Sequence, residues 1–449
     1  MTIAPDEIVA RVQAAGVRLV RFICCGNDNV IRGKSAHAGA LADFMVSGIG
    51  MAAALPCVNI LDHINPDDVL GPAGEVRLVP DPQTFAVMPY PPGEAYMLCD
   101  QINLGGTPSA YCARNFLKRM EARAAAEGMA VEAAFEHEFY LAREVDGRYV
   151  PADDGLCYST DGMNRAGVIV GEIVDALDGQ GLRPRQYQTE YGRGQQELSI
   201  HHAPLLAAAD HNVAVRETIR AIGLRHGLAV SFAPKPFANQ AGSGWHVHLS
   251  LWREGRNLLY DPEGEAGISA LGRSFIGGLL DHLPALLAIT CPSVNSYRRL
   301  APNMWSSAYT CWGPDNREAT VRVPSPFKGR LEASTNLELK PVDGSANPYL
   351  ALDEIVAAGL DGVQRSLDPG EPLAVNPEAL DEAERQRRKI HRYPITLAES
   401  LAALQCDAVL QAALGADLLR TFTLVRRSEW EALGSLPVEQ ELAAHFLRY

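Results

Sequence analysis

Residues 131–141 read Val-Glu-Ala-Ala-Phe-Glu-His-Glu-Phe-Tyr-Leu, and their polarity alternates with the two-residue period of a β-strand. Apolar side chains such as Val131 and Phe135 fall on one face, which predicts a side that packs on the core. Glu136 and Glu138 then share the opposite face, with Cα atoms about 7 Å apart. Carboxylates this close repel each other unless a cation or water separates them. The strand alone therefore leaves a metal site and a solvent-facing surface as open alternatives.

A second pair of carboxylates flanks a turn. Glu190 and Glu197 lie on either side of the glycine-bearing residues 191–196, between two β-like runs. A hairpin at this place brings both carboxylates together. An ordinary charged hairpin with no ligand is the alternative interpretation.

Residues 242–250 read Gly-Ser-Gly-Trp-His-Val-His-Leu-Ser. The small residues at the start allow a close approach of the backbone to another group. His246, His248 and Ser250 share one face of the predicted strand. This pattern indicates either a metal or phosphate site, or a pair of hydrogen-bonded core histidines.

The last polar strand contains Asn336, Glu338 and Lys340 on one face. Four arginines precede it: Arg298, Arg299, Arg317 and Arg322. Hard oxygen ligands select Mg²⁺ or Mn²⁺, and guanidinium groups suit phosphate oxygens. The sequence contains neither a GxxxxGK[ST] loop nor a GxGxxG fingerprint. Together, these residues predict an enzyme that binds divalent metal and phosphate.

Composition argues against nucleic-acid binding and against a membrane span. The 449 residues include 40 Lys and Arg against 54 Asp and Glu, a net charge of −14, which disfavours binding to nucleic acid. No apolar run reaches the roughly 18 residues of a membrane span. Nine scattered cysteines without a CxxC pair indicate reduced thiols and a cytoplasmic protein. The Gly-Gly-Thr-Pro segment at 105–108 predicts a boundary between a small β-rich domain, 1–105, and a larger domain, 106–449.

The ordered motifs of the chain resemble those of the glutamine synthetase superfamily over nearly the full length. They are Phe135–Phe139, Glu190–Glu197, Pro234–Phe237, Gly242–His248, Asn295–Leu300, Asn316–Arg317, Val321–Pro324, Leu337–Leu339 and Ala346–Leu350. The resemblance implies an α+β protein with a β-grasp N-terminal domain and a catalytic domain built on a curved antiparallel sheet. It also implies a homo-oligomer, a dodecamer of two hexameric rings with active sites shared between neighbouring subunits.

The resemblance assigns a role to each site residue. One divalent ion, Mg²⁺ or Mn²⁺, would have the ligands Glu138, Glu190 and Glu197, and a second would have Glu136, His246 and Glu338; the family binds two or three ions per subunit. ATP would lie along four residues: His248, Ser250, Trp252 and Arg322. Glutamate would contact Gly242 and Arg299, while Arg317 and Lys340 would face the transferred phosphoryl group.

The chain departs from glutamine synthetase where ammonia binds. Trp305 stands in place of the glutamate in the flap, and Ala52 in place of the aspartate in the N-terminal latch. Because ammonium is bound by carboxylates, their loss favours an organic amine, which an indole ring can contact by stacking or by a cation–π interaction. Trp305 and Ala52 are therefore the predicted amine pocket. Ala241 stands where the family often has an asparagine near glutamate, and Lys340 replaces an arginine of the family pattern. These two departures leave an acid other than glutamate as an alternative.

The sequence thus predicts an ATP-dependent ligase that joins the γ-carboxylate of glutamate to a primary amine through a γ-glutamyl phosphate. Besides a different acid substrate, two alternatives remain: glutamine synthetase, which uses ammonia, and a non-catalytic ring-forming protein on the same fold. The family's adenylylation motif is missing, and Tyr393 lies in a different sequence context. The amine, the ring size, the physiological metal and the regulation are not defined by the sequence.

Overall fold

The computed structural model describes residues 3–449. Its N-terminal part forms helices α1 (Pro5–Ala14) and α2 (Leu41–Ser47) and strands β1 (Leu19–Cys25), β2 (Ile31–His37), β3 (Ile49–Ala52), β4 (Glu75–Pro80), β5 (Ala86–Val87) and β6 (Glu94–Asn103). The strands form one sheet in the order β2-β1-β6-β4-β3, with β5 also paired to β6. The first and last strands, β1 and β6, are parallel neighbours at its centre. This arrangement agrees with the predicted β-grasp domain.

The rest of the chain contains helices α3 (Ala113–Ala126), α4 (Thr160–Gly179), α5 (Leu205–Arg225), α6 (Ala270–Asp281), α7 (Leu283–Thr290), α8 (Ser296–Arg299), α9 (Leu331–Ser334), α10 (Pro348–Arg365), α11 (Glu382–Arg387), α12 (Leu397–Leu404), α13 (Ala408–Leu433) and α14 (Val438–Phe446). Its strands are β7 (Ala130–Val145), β8 (Arg148–Pro151), β9 (Pro184–Thr189), β10 (Gln195–Ile200), β11 (Ala203–Pro204), β12 (Ala229–Ser231), β13 (Val247–Arg253), β14 (Arg256–Asn257), β15 (Tyr309–Pro314), β16 (Ala319–Val323) and β17 (Leu337–Leu339). The α+β class is confirmed.

The large sheet has the order β15-β16-β17-β13-β7-β10-β9. One pair differs from the antiparallel sheet that was predicted, because β15 and β16 run parallel, with a register shift between Tyr309 and Trp312. The other named pairs in this sheet are antiparallel. The sheet is therefore mixed at one edge, and the strands that carry the predicted site residues remain antiparallel neighbours.

Strand β7 lies near the middle of this sheet, paired with β13 on one side and β10 on the other. Val131 and Phe135 are buried in the main hydrophobic core, as the alternation predicted. The opposite face is not simply exposed to solvent, since Glu138 is also buried. A solvent-facing strand is therefore the wrong interpretation of residues 131–141.

Helix α13 is long and apolar enough, by length and composition alone, to cross a membrane. Leu414 and Leu418 of this helix belong to the main hydrophobic core. Its C-terminal half contains a buried ion pair, in which Arg426 Nη1 lies 2.8 Å from Glu429 Oε2. The helix therefore packs as a core element of the larger domain.

A buried arginine links the two parts of the chain. Arg114 of α3 is 4% exposed and pairs with Asp81 and Asp100 of the N-terminal part at 2.8 and 2.9 Å. It also donates two hydrogen bonds to Asp210 of α5, at 2.9 and 2.8 Å. One guanidinium thus compensates three carboxylates that would otherwise repel each other.

We expect Arg114→Met to lower the free energy of unfolding by about 3–5 kcal/mol, because three partly buried carboxylates lose their shared guanidinium group, and the remaining cation, Lys118, lies beside only Asp100 and Asp81 of the three. Urea unfolding at neutral pH measures the loss. The matched control is Arg165→Met, which removes an exposed pair with Asp161 and changes stability by only about 0–1 kcal/mol. Equal unfolding midpoints for the two variants would contradict the prediction.

Candidate active site

A cavity of about 710 Å³ opens along β7, β10, β13 and β17. Thirteen of the sixteen predicted site residues line it: Glu136, Glu138, Glu190, Glu197, His246, His248, Ser250, Trp252, Trp305, Arg317, Arg322, Glu338 and Lys340. Gly242, Arg299 and Ala52 are not among its lining residues. Segments far apart in sequence therefore converge on one space, while the individual roles assigned to these residues stay predictions.

Strand register creates the first group of carboxylates. Glu138 of β7 lies directly opposite Glu197 of β10. Glu190 directly follows β9 and begins the turn that joins β9 to β10. Glu138 Oε2 accepts hydrogen bonds from Gly244 N at 2.8 Å and from Gln195 Nε2 at 3.2 Å. Like charges directly across a pair of strands are unfavourable without a counter-charge. This group is suited to a cation.

The pKa values of Glu138 and Glu197 are raised by burial and by the repulsion between these carboxylates. The pKa of Glu197 is raised well above its usual range, first by burial and then by the charges of Glu136, Glu138 and Glu190. Burial also raises the pKa of Glu138, and the Glu190 charge adds to the rise, while His246 opposes it. Without a bound cation, this end of the cavity therefore disfavours full ionisation.

A histidine joins the second group. His246 Nδ1 lies 3.1 Å from Glu136 Oε2 and 3.2 Å from Glu338 Oε1. His248, which was predicted to lie along ATP, also reaches this group, because its Nε2 is 3.0 Å from Glu136 Oε1. One ligand atom each of Glu136, His248 and Glu338 lie within 4.8 Å of one another. The structure thus brings both histidines to the carboxylates.

Here the protein supplies its own positive charge. Burial by itself would raise the pKa of Glu136, but His248 and His246 hold it well below its usual range. Burial is likewise outweighed at Glu338, whose pKa is lowered by Lys340 and His246. The Glu136 carboxylate raises the pKa of His248 to about 9, against the effect of burial.

The other end of the cavity contains polar groups and rings. His248 Nδ1 lies 2.8 Å from Asn336 Oδ1, and Trp252 Nε1 donates to Ser250 Oγ at 2.8 Å. Arg322 Nε is 2.7 Å from Glu338 Oε2, so the predicted ATP-binding arginine reaches a predicted metal ligand. His248 and Arg322, two of the residues predicted to bind ATP, therefore also contact the carboxylates predicted to bind metal.

The predicted glutamate-binding residues lie behind the cavity wall. Arg299 is 3% exposed, and its Nη2 contacts His246 Nε2 and the Lys340 carbonyl, each at 3.1 Å. Its Nη1 has no hydrogen-bond partner within the described residues. Gly242 packs against the same side chain, since a Cβ there would lie 2.7 Å from Arg299 Cγ. Arg299 thus positions His246 and keeps one donor free.

Ala52 ends strand β3, opposite Glu75, in the N-terminal sheet. It is exposed and lies outside the cavity of its own chain. The resemblance places this latch at the site of a neighbouring subunit, so the assignment of Ala52 to the amine pocket stays a prediction.

Sequence reasoning gave no role to several residues of the site. Gln195 donates to Glu138 and to the Gly242 carbonyl, at 3.2 and 2.9 Å, so it joins the two predicted subsites. It lies inside the turn that the sequence had marked. Tyr158 and Phe327 also line the cavity but lie in segments without a recognisable pattern.

Comparison with known proteins agrees with this geometry. Residues 110–445 match the glutamine synthetase catalytic domain, and residues 4–109 match the glutamine synthetase N-terminal domain. The fold and the site define a carbon–nitrogen bond-forming ligase. The chain belongs to the glutamine synthetase family, whose members are ATP-dependent glutamate ligases.

Individual relatives extend the likeness. The γ-glutamylpolyamine synthetase GlnA3 of Streptomyces coelicolor is 39% identical over 438 residues, covering 97% of this chain and 94% of that protein. A glutamate–methylamine ligase of Methyloversatilis universalis is 36% identical, covering 78% of this chain and 80% of that protein. A solved GmaS–ADP complex has a TM-score of 0.85 at 32% identity, covering 98% of both chains. Relatives at similar identity include glutamine synthetases.

The residues of the cavity fit divalent metal ions. Five carboxylates and two histidines supply the hard oxygen and imidazole ligands that Mg²⁺ and Mn²⁺ accept. The pKa values of Glu138 and Glu197 are raised first by burial, and the neighbouring carboxylates add to the rise, so a bound cation would favour their ionised forms.

We expect Glu197→Gln to stabilise the metal-free protein and to weaken its response to Mn²⁺. Because the folded pKa is raised, ionised Glu197 costs stability as the pH rises above the unfolded value of about 4.3. Melting temperatures at pH 7.5, with EDTA and with Mn²⁺, measure both effects. Mn²⁺ at 100 times its Kd should stabilise the wild type by about 2.7 kcal/mol.

The matched control is Glu144→Gln, an exposed position on the same strand β7. This variant should resemble the wild type with and without Mn²⁺. An equal Mn²⁺ effect on the wild type and Glu197→Gln would show that Glu197 is not a metal ligand.

Proposed function

We propose that this protein is a glutamate–amine ligase, which joins the γ-carboxylate of glutamate to a primary organic amine. The observation that carries the proposal is Trp305, whose largely exposed indole lines the cavity where ammonia-using members have a flap carboxylate. An indole offers an apolar face and a cation–π surface to an organic amine, whereas ammonia has no apolar part. The polyamine and methylamine ligases among the relatives support this choice.

The reaction has two steps in this proposal. The γ-carboxylate oxygen of glutamate attacks the γ-phosphorus of ATP, which releases ADP and forms γ-glutamyl phosphate. The amine nitrogen then attacks the acyl carbon, phosphate leaves, and the surplus proton passes to solvent. Arg317 and Lys340 lie in the cavity lining where their charge can stabilise the moving phosphoryl group.

The six predicted metal ligands would hold two divalent ions, Mg²⁺ or Mn²⁺, which neutralise phosphate charge when bound. The free Nη1 of Arg299 supports a contact with the α-carboxylate of glutamate after a small movement of the wall. His248, Ser250, Trp252 and Arg322 would line the ATP side.

Several broader features belong to the same proposal. We expect a cytoplasmic dodecamer with shared sites and with a domain boundary near residue 105. Control by adenylylation of Tyr393 is not expected, because this residue is 3% exposed and its hydroxyl contacts Ser307 and Thr320 at 2.5 and 2.6 Å.

Phosphate release from ATP with Mg²⁺ and glutamate tests the function directly, with ammonia and a panel of alkylamines, polyamines, ethanolamine and anilines supplied singly. We expect at least one amine to give a higher kcat/KM than ammonia. Ammonia as the best nucleophile would instead identify a glutamine synthetase.

No phosphate release with any nucleophile would indicate another acid substrate or a non-catalytic protein. Calorimetry separates these outcomes, because a non-catalytic protein should bind neither ATP nor Mn²⁺ tightly. Competition binding with glutamate analogues identifies a different acid.

We expect Glu338→Ala to abolish turnover and leave the oligomer intact. Glu338 is fully buried and joins His246, Arg322 and Lys340 in the cavity, so its loss removes a metal ligand and leaves these cations unpaired. Steady-state assays and size-exclusion chromatography measure the two effects. An active variant would refute the metal assignment.

A further inference from the structure

The segment that carries Trp305 is fixed to the protein at both sides of this residue. Asn376 Nδ2 donates to Asn303 Oδ1 at 2.8 Å, before the tryptophan. After it, Ser306 Oγ donates to the Arg299 carbonyl at 2.7 Å. Residues 303–307 are therefore anchored on one side by the Asn376 side chain and on the other by the Arg299 backbone carbonyl.

The backbone of this segment is strained. Asn303, Trp305 and Ser307 have φ angles of 62°, 59° and 68°, in the left-handed region that residues with a Cβ rarely adopt. Such conformations persist only where the surrounding contacts define them. Trp305 is 65% exposed, so the packing of its own side chain contributes little to holding it there.

The contact that holds Trp305 itself comes from Glu318. The Trp305 backbone N–H donates to Glu318 Oε1 at 2.8 Å. Glu318 is 8% exposed and lies between Arg317, which lines the cavity, and the first residue of β16. Its own backbone N–H is fixed by Asn316 Oδ1 at 3.0 Å. A hydrogen bond from a backbone N–H to a carboxylate oxygen is among the stronger kinds.

We propose that Glu318 is a positioning residue for the amine: by accepting the Trp305 N–H, it keeps the indole in the cavity wall and sets the preference for an organic amine over ammonia. This inference rests on the proposed amine ligation. Glu318 is not among the residues that line the cavity, so it acts through Trp305.

The proposal predicts that Glu318 affects binding of the amine but not binding of the other substrates. An organic amine can contact the indole face, but ammonia has no apolar surface to place against it. ATP is proposed to bind along β13 and β17, and glutamate to contact the guanidinium group of Arg299. The hydrogen bond from residues 303–307 to Arg299 reaches its backbone carbonyl instead, through Ser306 Oγ. Loss of the Glu318 anchor should therefore change the KM for the amine and leave the other KM values nearly unchanged.

The test compares Glu318→Gln with Glu318→Ala in the full-length enzyme, using the best amine of the panel and ammonia. Glutamine keeps an oxygen acceptor of the same reach, so the KM for the amine should stay within about twofold of the wild type. Alanine removes the acceptor and should raise this KM about tenfold. The KM values for ATP, glutamate and ammonia should change by less than about twofold in both variants.

A double variant tests whether Glu318 acts through the tryptophan. Trp305→Ala alone should raise the KM for the amine, and adding Glu318→Ala should cause no further rise. An additive effect would show that Glu318 acts by another route and would overturn the proposal.

Chymotrypsin provides a readout that does not depend on turnover. Cleavage after Trp305 should be faster in Glu318→Ala than in the wild type, because local opening of residues 303–307 becomes easier. Glu318→Gln should be cleaved at the wild-type rate. The masses of the two fragments identify the cut.

Besides an additive double variant, three kinetic results overturn the proposal: a Glu318→Gln variant as impaired as Glu318→Ala, an unchanged amine KM in Glu318→Ala, or equal rises in all KM values. If the wild type prefers ammonia, the proposed function fails by itself. The positioning role is then judged by cleavage, and equal rates in the wild type and Glu318→Ala reject it.

Discussion

The repulsion between carboxylates on neighbouring strands is the constraint on which the site depends. Antiparallel pairing places Glu138 directly opposite Glu197, and both side chains face a cavity that offers them little solvent. The sheet can impose this arrangement because the other face of β7 is packed into the main core. Folding thus provides the energy that keeps like charges together, and a divalent cation is the group that relieves their repulsion.

The two halves of the cluster differ in how their charge is compensated. His246, His248 and Lys340 lower the pKa values of Glu136 and Glu338, so this half already contains protein cations. In the other half, His246 and Arg299 lower the pKa of Glu138 without overcoming burial, and the pKa of Glu197 is raised by burial and by three neighbouring carboxylates. A metal ion stabilises ionised carboxylates most where the protein itself supplies the least positive charge. Of the two proposed metal sites, the Glu138–Glu190–Glu197 group is therefore expected to bind its cation more tightly than the group that contains the histidines.

The sequence was informative where the signal is local. Strand alternation predicted which face of residues 131–141 enters the core, and the ordered motifs predicted the family. Register could not be predicted, because the pairing of β7 with β10 depends on residues about 60 positions apart. The burial of individual side chains could not be predicted either. Arg299 belongs to a motif predicted to bind glutamate, yet its side chain is buried behind His246. The contact of Trp305 with Glu318 is visible only in three dimensions.

In the proposed assignment, the residues that select the amine and those that serve phosphoryl transfer lie on different kinds of structure. The carboxylates, histidines and arginines lie on or beside paired strands, where a change of position would disturb the whole sheet. Trp305 lies in a loop whose strained backbone is fixed by a few side chains. A substitution in this loop or its anchors can change the nucleophile while leaving the phosphate chemistry intact. If this loop selects the amine, as proposed, a similar fold can be combined with different nucleophiles, and relatives of this chain are indeed named as a glutamine synthetase, a glutamate–methylamine ligase and a γ-glutamylpolyamine synthetase.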